Sequence, residues 1–220
     1  KSSAKNGALE DAVFASNMNG QKYTIYDRVP NNPTVACVEE GARIAREVGA
    51  DCVVAIGGGS PMDAAKAIAM LARQDVPEGI FAHAITDDVL PMAHIPTTAG
   101  TGSEVTPYSI ITNDEKQTKT SISAPSLFPV YAFLDGKYMA SLPQNVTVNT
   151  ALDALSHAVE GMLSVRATLI TDALARESIR LLTGEYDSLL NANYTSQSRQ
   201  NLLLGSTLAG MVIANTRTTV

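Results

Sequence analysis

The sequence predicts an α/β domain with a parallel sheet over residues 1–142, followed by an all-helical domain over residues 143–220. In the first part, short apolar runs alternate with helical periodicity, which is typical of βαβ units whose strands are buried on both faces. After Leu142-Pro143 the strand-like runs stop, and apolar residues recur every three or four positions to the end. The third observation is a glycine-rich turn between one strand and the next helix.

Each element follows from a local pattern. Thr34 can cap a helix over residues 34–48, and Gly49 would end it. Residues 52–56 are apolar and β-branched, so they predict a strand. The other predicted helices are residues 8–16, 64–72, 145–163, 169–182 and 198–214. The other predicted strands are residues 22–26, 92–95, 109–112 and 131–134, with a charged turn at 116–119.

Composition and charge exclude two classes of partner. The 220 residues are 45% hydrophobic and can bury a sizeable core, but a formal charge of −6 and a pI near 5.0 provide no basic surface for nucleic acid. No run reaches the roughly 18 apolar residues of a membrane span. Cys37 and Cys52 indicate neither a disulfide framework nor a cysteine metal site. We therefore expect a cytoplasmic protein with no nucleic-acid and no membrane partner.

The glycine turn, residues 57–63, joins the strand at 52–56 to a helix. Ser60 is a candidate N-cap, Pro61 suits the first helical position, and Asp63 stands three residues after the cap, in a capping-box-like arrangement. A helix N-terminus with neighbouring glycines can hold a phosphate against backbone N–H groups. Because neither a P-loop lysine nor the G-x-G-x-x-G spacing is present, a pyrophosphate is favoured over a transferable phosphate. The alternative is a tight turn that binds nothing.

A second loop of glycines and hydroxyls, the hydroxyl loop, follows the predicted strand at residues 92–95. It runs Thr97-Thr98-Ala99-Gly100-Thr101-Gly102-Ser103. Ligands of open parallel sheets bind beyond the carboxyl ends of the strands, so the two loops could face one crevice. The hydroxyls could bind a cofactor, or they could satisfy a turn.

Asp153, His157 and Glu160 share one side of the predicted helix at residues 145–163. Asp153 and His157 are four residues apart and lie on the same face, and Glu160 borders it. A carboxylate and an imidazole that reach one point make a partial site for iron, zinc or manganese. The alternative is an ordinary i,i+4 pair on a solvated face.

Three segments together carry a resemblance to a known family: Gly57-Gly58-Gly59-Ser60-Pro61-Met62-Asp63, Pro96-Thr97-Thr98-Ala99-Gly100-Thr101-Gly102-Ser103-Glu104-Val105-Thr106 and Asp153-Ala154-Leu155-Ser156-His157-Ala158-Val159-Glu160. In order and spacing they resemble the signature segments of the iron-containing (group III) alcohol dehydrogenases. The resemblance implies an N-terminal dinucleotide-binding α/β domain and a C-terminal helical metal-binding domain, an architecture shared with dehydroquinate synthase.

The resemblance also implies roles for single residues. The pyrophosphate and adjoining ribose would be held by Gly58, Gly59, Ser60 and Asp63. The path to the nicotinamide would be lined by Thr97, Thr98, Thr101 and Ser103. Lys119 matches a lysine near the nicotinamide ribose. Asp153 and His157 match the first two of the family's metal ligands, one Asp and three His, and no catalytic residue is assigned beyond this metal site. By the same resemblance, the chain is expected to be truncated at both ends, with a first strand before Lys1 and a ligand histidine beyond Val220.

The resemblance implies reversible hydride transfer between a primary alcohol or aldehyde and a nicotinamide cofactor. NAD is the expected cofactor, with NADP as the alternative. The expected metal is Fe²⁺, with Zn²⁺ or Mn²⁺ as alternatives, and a homo-oligomer is expected. Rival interpretations are a lyase similar to dehydroquinate synthase, an enzyme similar to glycerol-phosphate dehydrogenase, and a structural segment of a filament-forming polypeptide. The first two would be expected to carry more basic residues than the Asp153 helix offers.

Overall fold

The computed structural model describes residues 7–114, 116 and 118–217. In the α/β part, the helices are α1 (Ala8–Met18), α2 (Val35–Glu47) and α3 (Gly59–Leu71), and the strands are β1 (Val53–Gly57), β2 (Met92–Pro96), β3 (Tyr108–Asn113), β4 (Thr118–Ser123) and β5 (Tyr131–Ala132). The helical part contains α4 (Gln144–Leu163), α5 (Leu169–Gly184), α6 (Tyr186–Asn191) and α7 (Ser196–Thr216).

The sheet has the strand order β1-β2-β5, and all three strands are parallel. Gly57 at the end of β1 pairs with Pro96 at the end of β2, so the glycine turn and the hydroxyl loop leave the same edge of the sheet. A separate antiparallel hairpin of β3 and β4 pairs Tyr108 with Ser123 and Asn113 with Thr118. The predicted α/β class with a parallel sheet is confirmed, as is the helical part that follows it.

The two largest of the clusters of buried apolar side chains hold the fold together. The first joins α2 and α3 to the hairpin and includes Val38, Ala42, Ala64, Ala67, Ile68, Ile111 and Ile122. The second lies among α4, α5 and α7 and includes Ala151, Ala154, Ala158, Ala175, Leu202, Leu203 and Val212. Ala99 and Met139 also belong to the second cluster, so the hydroxyl loop is anchored in the helical core. The division at Leu142 stays a prediction.

Several predicted elements are wrong in detail. Residues 22–26 form no strand, because this segment has no hydrogen-bonded strand neighbour in the described part of the chain. Its Tyr26 is instead attached to α2, where the phenol donates to the Cys37 carbonyl at 2.9 Å. The predicted charged turn at 116–119 lies partly outside the described residues, and Thr118 already begins β4. α6 was not predicted, since six residues carry little periodicity.

The helix starts show which capping predictions are correct. Thr34 caps α2, as its hydroxyl accepts from the Cys37 N–H at 3.3 Å. Ser60 is not the cap of α3, because the helix begins at Gly59 and Gly58 occupies the cap position without a side-chain bond. The Ser60 hydroxyl instead accepts from the backbone N–H of Asn32 at 3.2 Å.

Among the helices that the structure describes, none is long and apolar enough to cross a membrane.

Candidate functional site

The glycine turn and the hydroxyl loop are in direct contact. The backbone N–H of Thr97 donates to the Gly57 carbonyl at 2.9 Å, which ties the start of one loop to the end of β1. A Cβ on Gly58 would lie 2.9 Å from Thr98 Oγ1, and a Cβ on Gly59 would lie 2.8 Å from Thr101 Cγ2. The side-chain-free glycines therefore make room for the threonines, and the two loops form one surface.

This surface presents the N-terminus of α3. The first backbone N–H groups of a helix have no acceptor inside the helix, and here they belong to Gly59 and Ser60, since Pro61 has none. The positive end of the helix dipole lies at the same place. Neighbouring threonine side chains add hydroxyls: Thr98 is half-buried and Thr101 is exposed. The arrangement fits a phosphate group, with Thr98 and Thr101 beside it.

Asp63 and Ser103 bond to each other instead of pointing to solvent. The Ser103 hydroxyl donates to Asp63 Oδ1 at 2.6 Å, and the Ile110 N–H donates to Asp63 Oδ2 at 3.2 Å. Burial raises the pKa of the Asp63 carboxyl, and the nearby Lys66 charge and the Ser103 bond oppose that rise. The capping-box role predicted for Asp63 is therefore wrong: its carboxylate joins α3 to the hydroxyl loop and to β3.

Two buried charged residues beside this pair were not singled out from the sequence. Lys66 is fully buried on α3, and Glu104 follows Ser103. Glu104 Oε1 accepts from the Thr207 hydroxyl of α7 at 2.7 Å. Burial raises the pKa of Glu104 and lowers that of Lys66 to about 8. A lysine inside the otherwise apolar run of residues 64–71 was the sequence signal that could have drawn attention to it.

The hydroxyl loop also contacts two helices of the helical part. A Cβ on Gly100 would lie 2.8 Å from Thr150 Cβ on α4. On the other side, a Cβ on Gly102 would lie 2.5 Å from the Gly210 Cα on α7. Thr150 precedes Asp153 by three residues, or about one helical turn. The hydroxyl loop therefore contacts α4 about one turn before the candidate metal ligand Asp153.

Asp153 and His157 face each other on α4 without a hydrogen bond. His157 Nε2 is 3.7 Å from Asp153 Oδ2, and His157 Nδ1 is 4.0 Å from Glu160 Oε2. Nδ1 is buried and has no hydrogen-bond partner in the described part of the chain. One ion bonded at about 2.1 Å to each of two ligands can bridge up to about 4.2 Å, so Asp153 and His157 fit a shared metal.

The candidate metal ligands Asp153 and His157 are not part of a larger ligand group in the described residues. Within residues 7–114, 116 and 118–217, no group of three or more His, Cys, Asp or Glu side chains is arranged to hold a metal ion. Asp153 and His157 therefore fit as two ligands of a larger set, and further ligands would have to come from outside this part of the chain.

Lys119 lies on the hairpin. It pairs with Thr112 in the β3–β4 ladder and is exposed, and its side chain forms no hydrogen bond or ion pair with the described residues of the two loops. Thr97, by contrast, is buried at the carboxyl end of β2.

Two surface cavities, of about 400 and 310 Å³, are lined by other residues, such as Val89 and Tyr194. The candidate site is thus defined by the loops and α4, and its cofactor and metal roles stay predictions.

Comparison with protein families identifies both halves of the chain. Residues 1–136 match the family model described as iron-containing alcohol dehydrogenase. Residues 147–220 match the model described as the C-terminal part of the Fe-containing alcohol dehydrogenase family. The resemblance inferred from the three sequence segments is confirmed.

Individual relatives agree with the family models. The long-chain primary alcohol dehydrogenase AdhA of Thermoanaerobacter ethanolicus is 36% identical over 199 residues, which are 89% of this chain and 50% of that enzyme. A crystal structure of an iron-containing alcohol dehydrogenase superposes with a TM-score of 0.90 at 43% identity, over 100% of this chain and 60% of that one. Sulfoacetaldehyde reductase from Bifidobacterium kashiwanohense, solved with NAD⁺, superposes with a TM-score of 0.90 at 31% identity, over 98% of this chain and 58% of that one. The chain thus spans about half the length of the curated relatives it matches.

Proposed function

The chain belongs to the iron-containing alcohol dehydrogenase family, and we propose that it supplies the cofactor-binding surface and two metal ligands of an NAD-dependent enzyme. The reaction is hydride transfer between a primary alcohol, or its aldehyde, and nicotinamide. The observation that supports this proposal is the contact of the glycine turn, the hydroxyl loop and α4 around the residues Gly59, Thr101 and Thr150. Phosphate-binding groups and potential metal ligands then lie on neighbouring elements.

The proposed cofactor site uses backbone groups first. The N–H groups of Gly59 and Ser60 would bind the pyrophosphate, and the missing side chains of Gly58 and Gly59 let Thr98 and Thr101 lie beside these groups. Thr98 and Thr101 would contact the cofactor next to the pyrophosphate. Asp63 and Ser103 would position these loops through their mutual bond. NAD is proposed over NADP because the related sulfoacetaldehyde reductase was solved with NAD⁺.

The proposed metal site includes Asp153 and His157, whose facing atoms are 3.7 Å apart and not hydrogen-bonded to each other. A divalent ion, Fe²⁺ in the first instance, would act as a Lewis acid on the oxygen of the alcohol or aldehyde. The contribution of the chain is to hold the carboxylate and the imidazole on one helical face, near the loop that contacts Thr150. A cytoplasmic location and a homo-oligomeric state are part of the same proposal.

The test separates cofactor binding from turnover. NAD and NADP are titrated into the chain by calorimetry, and inorganic pyrophosphate is used as a competitor. We expect saturable binding of NAD that pyrophosphate displaces and that is tighter than binding of NADP. NAD reduction by short primary alcohols is then followed with and without added Fe²⁺, in the chain and in a full-length family protein that carries it.

A matched pair of variants controls the binding experiment. In Gly58→Ala, the new Cβ would lie 2.9 Å from Thr98 Oγ1, whereas in Gly184→Ala it meets nothing within 4 Å. We expect weaker NAD binding only in Gly58→Ala. Equal binding by both variants, or no saturable binding of NAD to the wild-type chain, would contradict the proposed site.

A further inference from the structure

Lys66 is a charged side chain in a place where an apolar one would pack. Its exposed fraction is 0%, and its neighbours along α3 include the buried residues Ala64, Ala67 and Met70. Burying an ammonium group is costly unless it is paired and hydrogen-bonded. The proposed chemistry assigns no step to this lysine, so its presence needs another physical reason.

The ammonium group of Lys66 joins three separate segments. It donates to Ser103 Oγ at 2.8 Å and to Thr106 Oγ1 at 3.3 Å, next to the hydroxyl loop. It also donates to the carbonyl oxygen of Tyr108, at the start of β3, at 2.7 Å. Since Lys66 itself belongs to α3, one side chain links the helix of the glycine turn, the hydroxyl loop and the hairpin.

The Ser103 hydroxyl forms a hydrogen-bonded bridge between Lys66 and Asp63. The hydroxyl oxygen accepts from Lys66 Nζ at 2.8 Å, and its own proton is donated to Asp63 Oδ1 at 2.6 Å. The direct distance between Lys66 Nζ and Asp63 Oδ1 is 3.9 Å, so the serine bridges the two charges. Asp63 is in the first turns of α3, close to the helix N-terminus that faces the threonines. The bridge therefore fixes the hydroxyl loop against that N-terminus.

We propose that Lys66 is a positioning residue that sets the spacing between the glycine turn and the hydroxyl loop, and so the affinity for the pyrophosphate of a dinucleotide. This inference rests on the proposed function and adds a residue that does not touch the cofactor. Gly58 and Gly59 are close to Thr98 and Thr101, with would-be Cβ distances of 2.9 and 2.8 Å. With so little space, a small shift of the loop would cover or open the N–H groups of the turn.

The charges around Lys66 explain why a neutral side chain would not replace it. Glu104 next to the hydroxyl loop is a buried carboxyl, Asp63 on α3 is a partly buried one, and His94 on β2 is buried nearby. Removal of the ammonium would leave the two carboxyls with weaker compensation. The Lys66–Ser103 bond would also be lost, and the loop would be held to α3 mainly by the Ser103–Asp63 bond.

The test compares Lys66→Met with Ser178→Ala. Ser178 is fully buried in the helical core, and its hydroxyl donates to the Gly205 carbonyl at 2.7 Å, so its loss weakens the fold away from the loops. The Kd for NAD and for ADP is measured by calorimetry at a temperature at which circular dichroism shows each variant folded. We expect Lys66→Met to weaken binding about tenfold, and Ser178→Ala to lower the melting temperature with less than about a twofold change in Kd.

Lys66→Gln is the second variant, since its amide can still donate one hydrogen bond. An intermediate Kd for Lys66→Gln supports positioning, whereas a Kd within about twofold of wild type for both Lys66 variants overturns it. If Lys66→Met does not fold, the Kd of Lys66→Gln alone is compared with that of the wild type. Weaker binding supports positioning, and a Kd within about twofold of wild type overturns it. Failure of both to fold contradicts a positioning role and assigns the lysine to stability. Absence of NAD binding in the wild-type chain would instead overturn the proposed function, and the inference with it.

Discussion

Gly102 of the hydroxyl loop and Gly210 of α7 meet backbone against backbone. A Cβ on Gly102 would lie 2.5 Å from the Gly210 Cα, and a Cβ on Gly210 would lie 2.7 Å from the Gly102 carbonyl oxygen. Gly102 also has a φ of +59°, a conformation that residues with a side chain rarely adopt. Because the obstacles are backbone atoms, neither can rotate away. The position of the hydroxyl loop therefore depends on α7.

Gly210→Ala should lower stability by forcing this contact apart. We expect a loss of about 1–3 kcal/mol in the free energy of unfolding, the usual cost of overpacking. Gly210 is the better test of the contact, because substitution at Gly102 would add backbone strain. Urea unfolding measures the change. The matched control is Gly184→Ala at the end of α5, where a Cβ meets nothing within 4 Å. Equal stability of the two variants would show that the contact is not tight.

Gly59 and Thr101 should be energetically coupled. A Cβ on Gly59 would meet Thr101 Cγ2 at 2.8 Å and Oγ1 at 3.1 Å, so Gly59→Ala should cost about 1 kcal/mol of unfolding free energy. Thr101→Ala removes both obstacles, and the double variant should therefore recover most of that loss. Thr98→Ala is the control, since Thr98 is the neighbour of Gly58 instead. Additive effects in the Gly59/Thr101 cycle would contradict the contact between the two loops.

The sequence predicted the elements whose signals are local. The β1 strand, the α2 helix with its Thr34 cap and the long helix α4 are found within one or two residues of the predicted bounds. The strand predicted at residues 22–26 is not formed. A strand requires a hydrogen-bonded partner, and the local sequence pattern does not reveal whether one is present. The β4 strand was missed for a related reason: its polar residues carry no apolar alternation, and it is defined by pairing with β3.

The site shows the same division between local and distant information. The glycine turn and the hydroxyl loop were located by their glycines, and their contact followed from the rule for parallel sheets. The roles of Asp63 and Ser103 could not be predicted, because their bond joins residues 40 positions apart. The role of Lys66 cannot be predicted for a similar reason, because all three of its hydrogen-bond acceptors come from distant segments.

His94 should make the protein less stable at acidic pH. It is fully buried on β2, and neither ring nitrogen has a hydrogen-bond partner in the described part of the chain. Burial, helped by the Lys66 charge, lowers its pKa to about 3 from an ordinary 6.5. The unfolded state then binds a proton that the folded state does not, so stability falls as the pH drops below 6.5.

The pH effect can be isolated with His94→Leu. Between pH 8 and pH 5, the wild-type chain should lose about 2 kcal/mol of unfolding free energy relative to the variant. At pH 8 the variant should be at least as stable as the wild type, because leucine has a bulk similar to that of histidine and removes two unpaired polar atoms. Urea unfolding at both pH values provides the four free energies. A wild-type–variant difference that does not change with pH would contradict a buried neutral histidine.

Asp153 and His157 should bind a divalent metal together, although no group of three or more potential ligands is arranged around a metal position in the described residues. Zn²⁺ is a suitable probe, because it accepts both carboxylate and imidazole ligands. We expect weak binding by the wild-type chain, and a loss of at least about tenfold in Asp153→Ala and in His157→Ala. Calorimetry with Zn²⁺ measures the affinities.

A second histidine–carboxylate pair provides the control for metal binding. His83 Nδ1 lies 2.7 Å from Glu78 Oε1, close enough to be engaged in that contact, whereas the Asp153–His157 distance is 3.7 Å. His83→Ala should therefore keep the Zn²⁺ affinity of the wild type. The half-exposed Asp153–His157 pair contributes little to folding, about 0.5 kcal/mol or less, so its variants should stay folded. An unchanged Zn²⁺ affinity in both Asp153→Ala and His157→Ala would contradict a shared metal ion. The two residues would then be an ordinary i,i+4 pair on the helix.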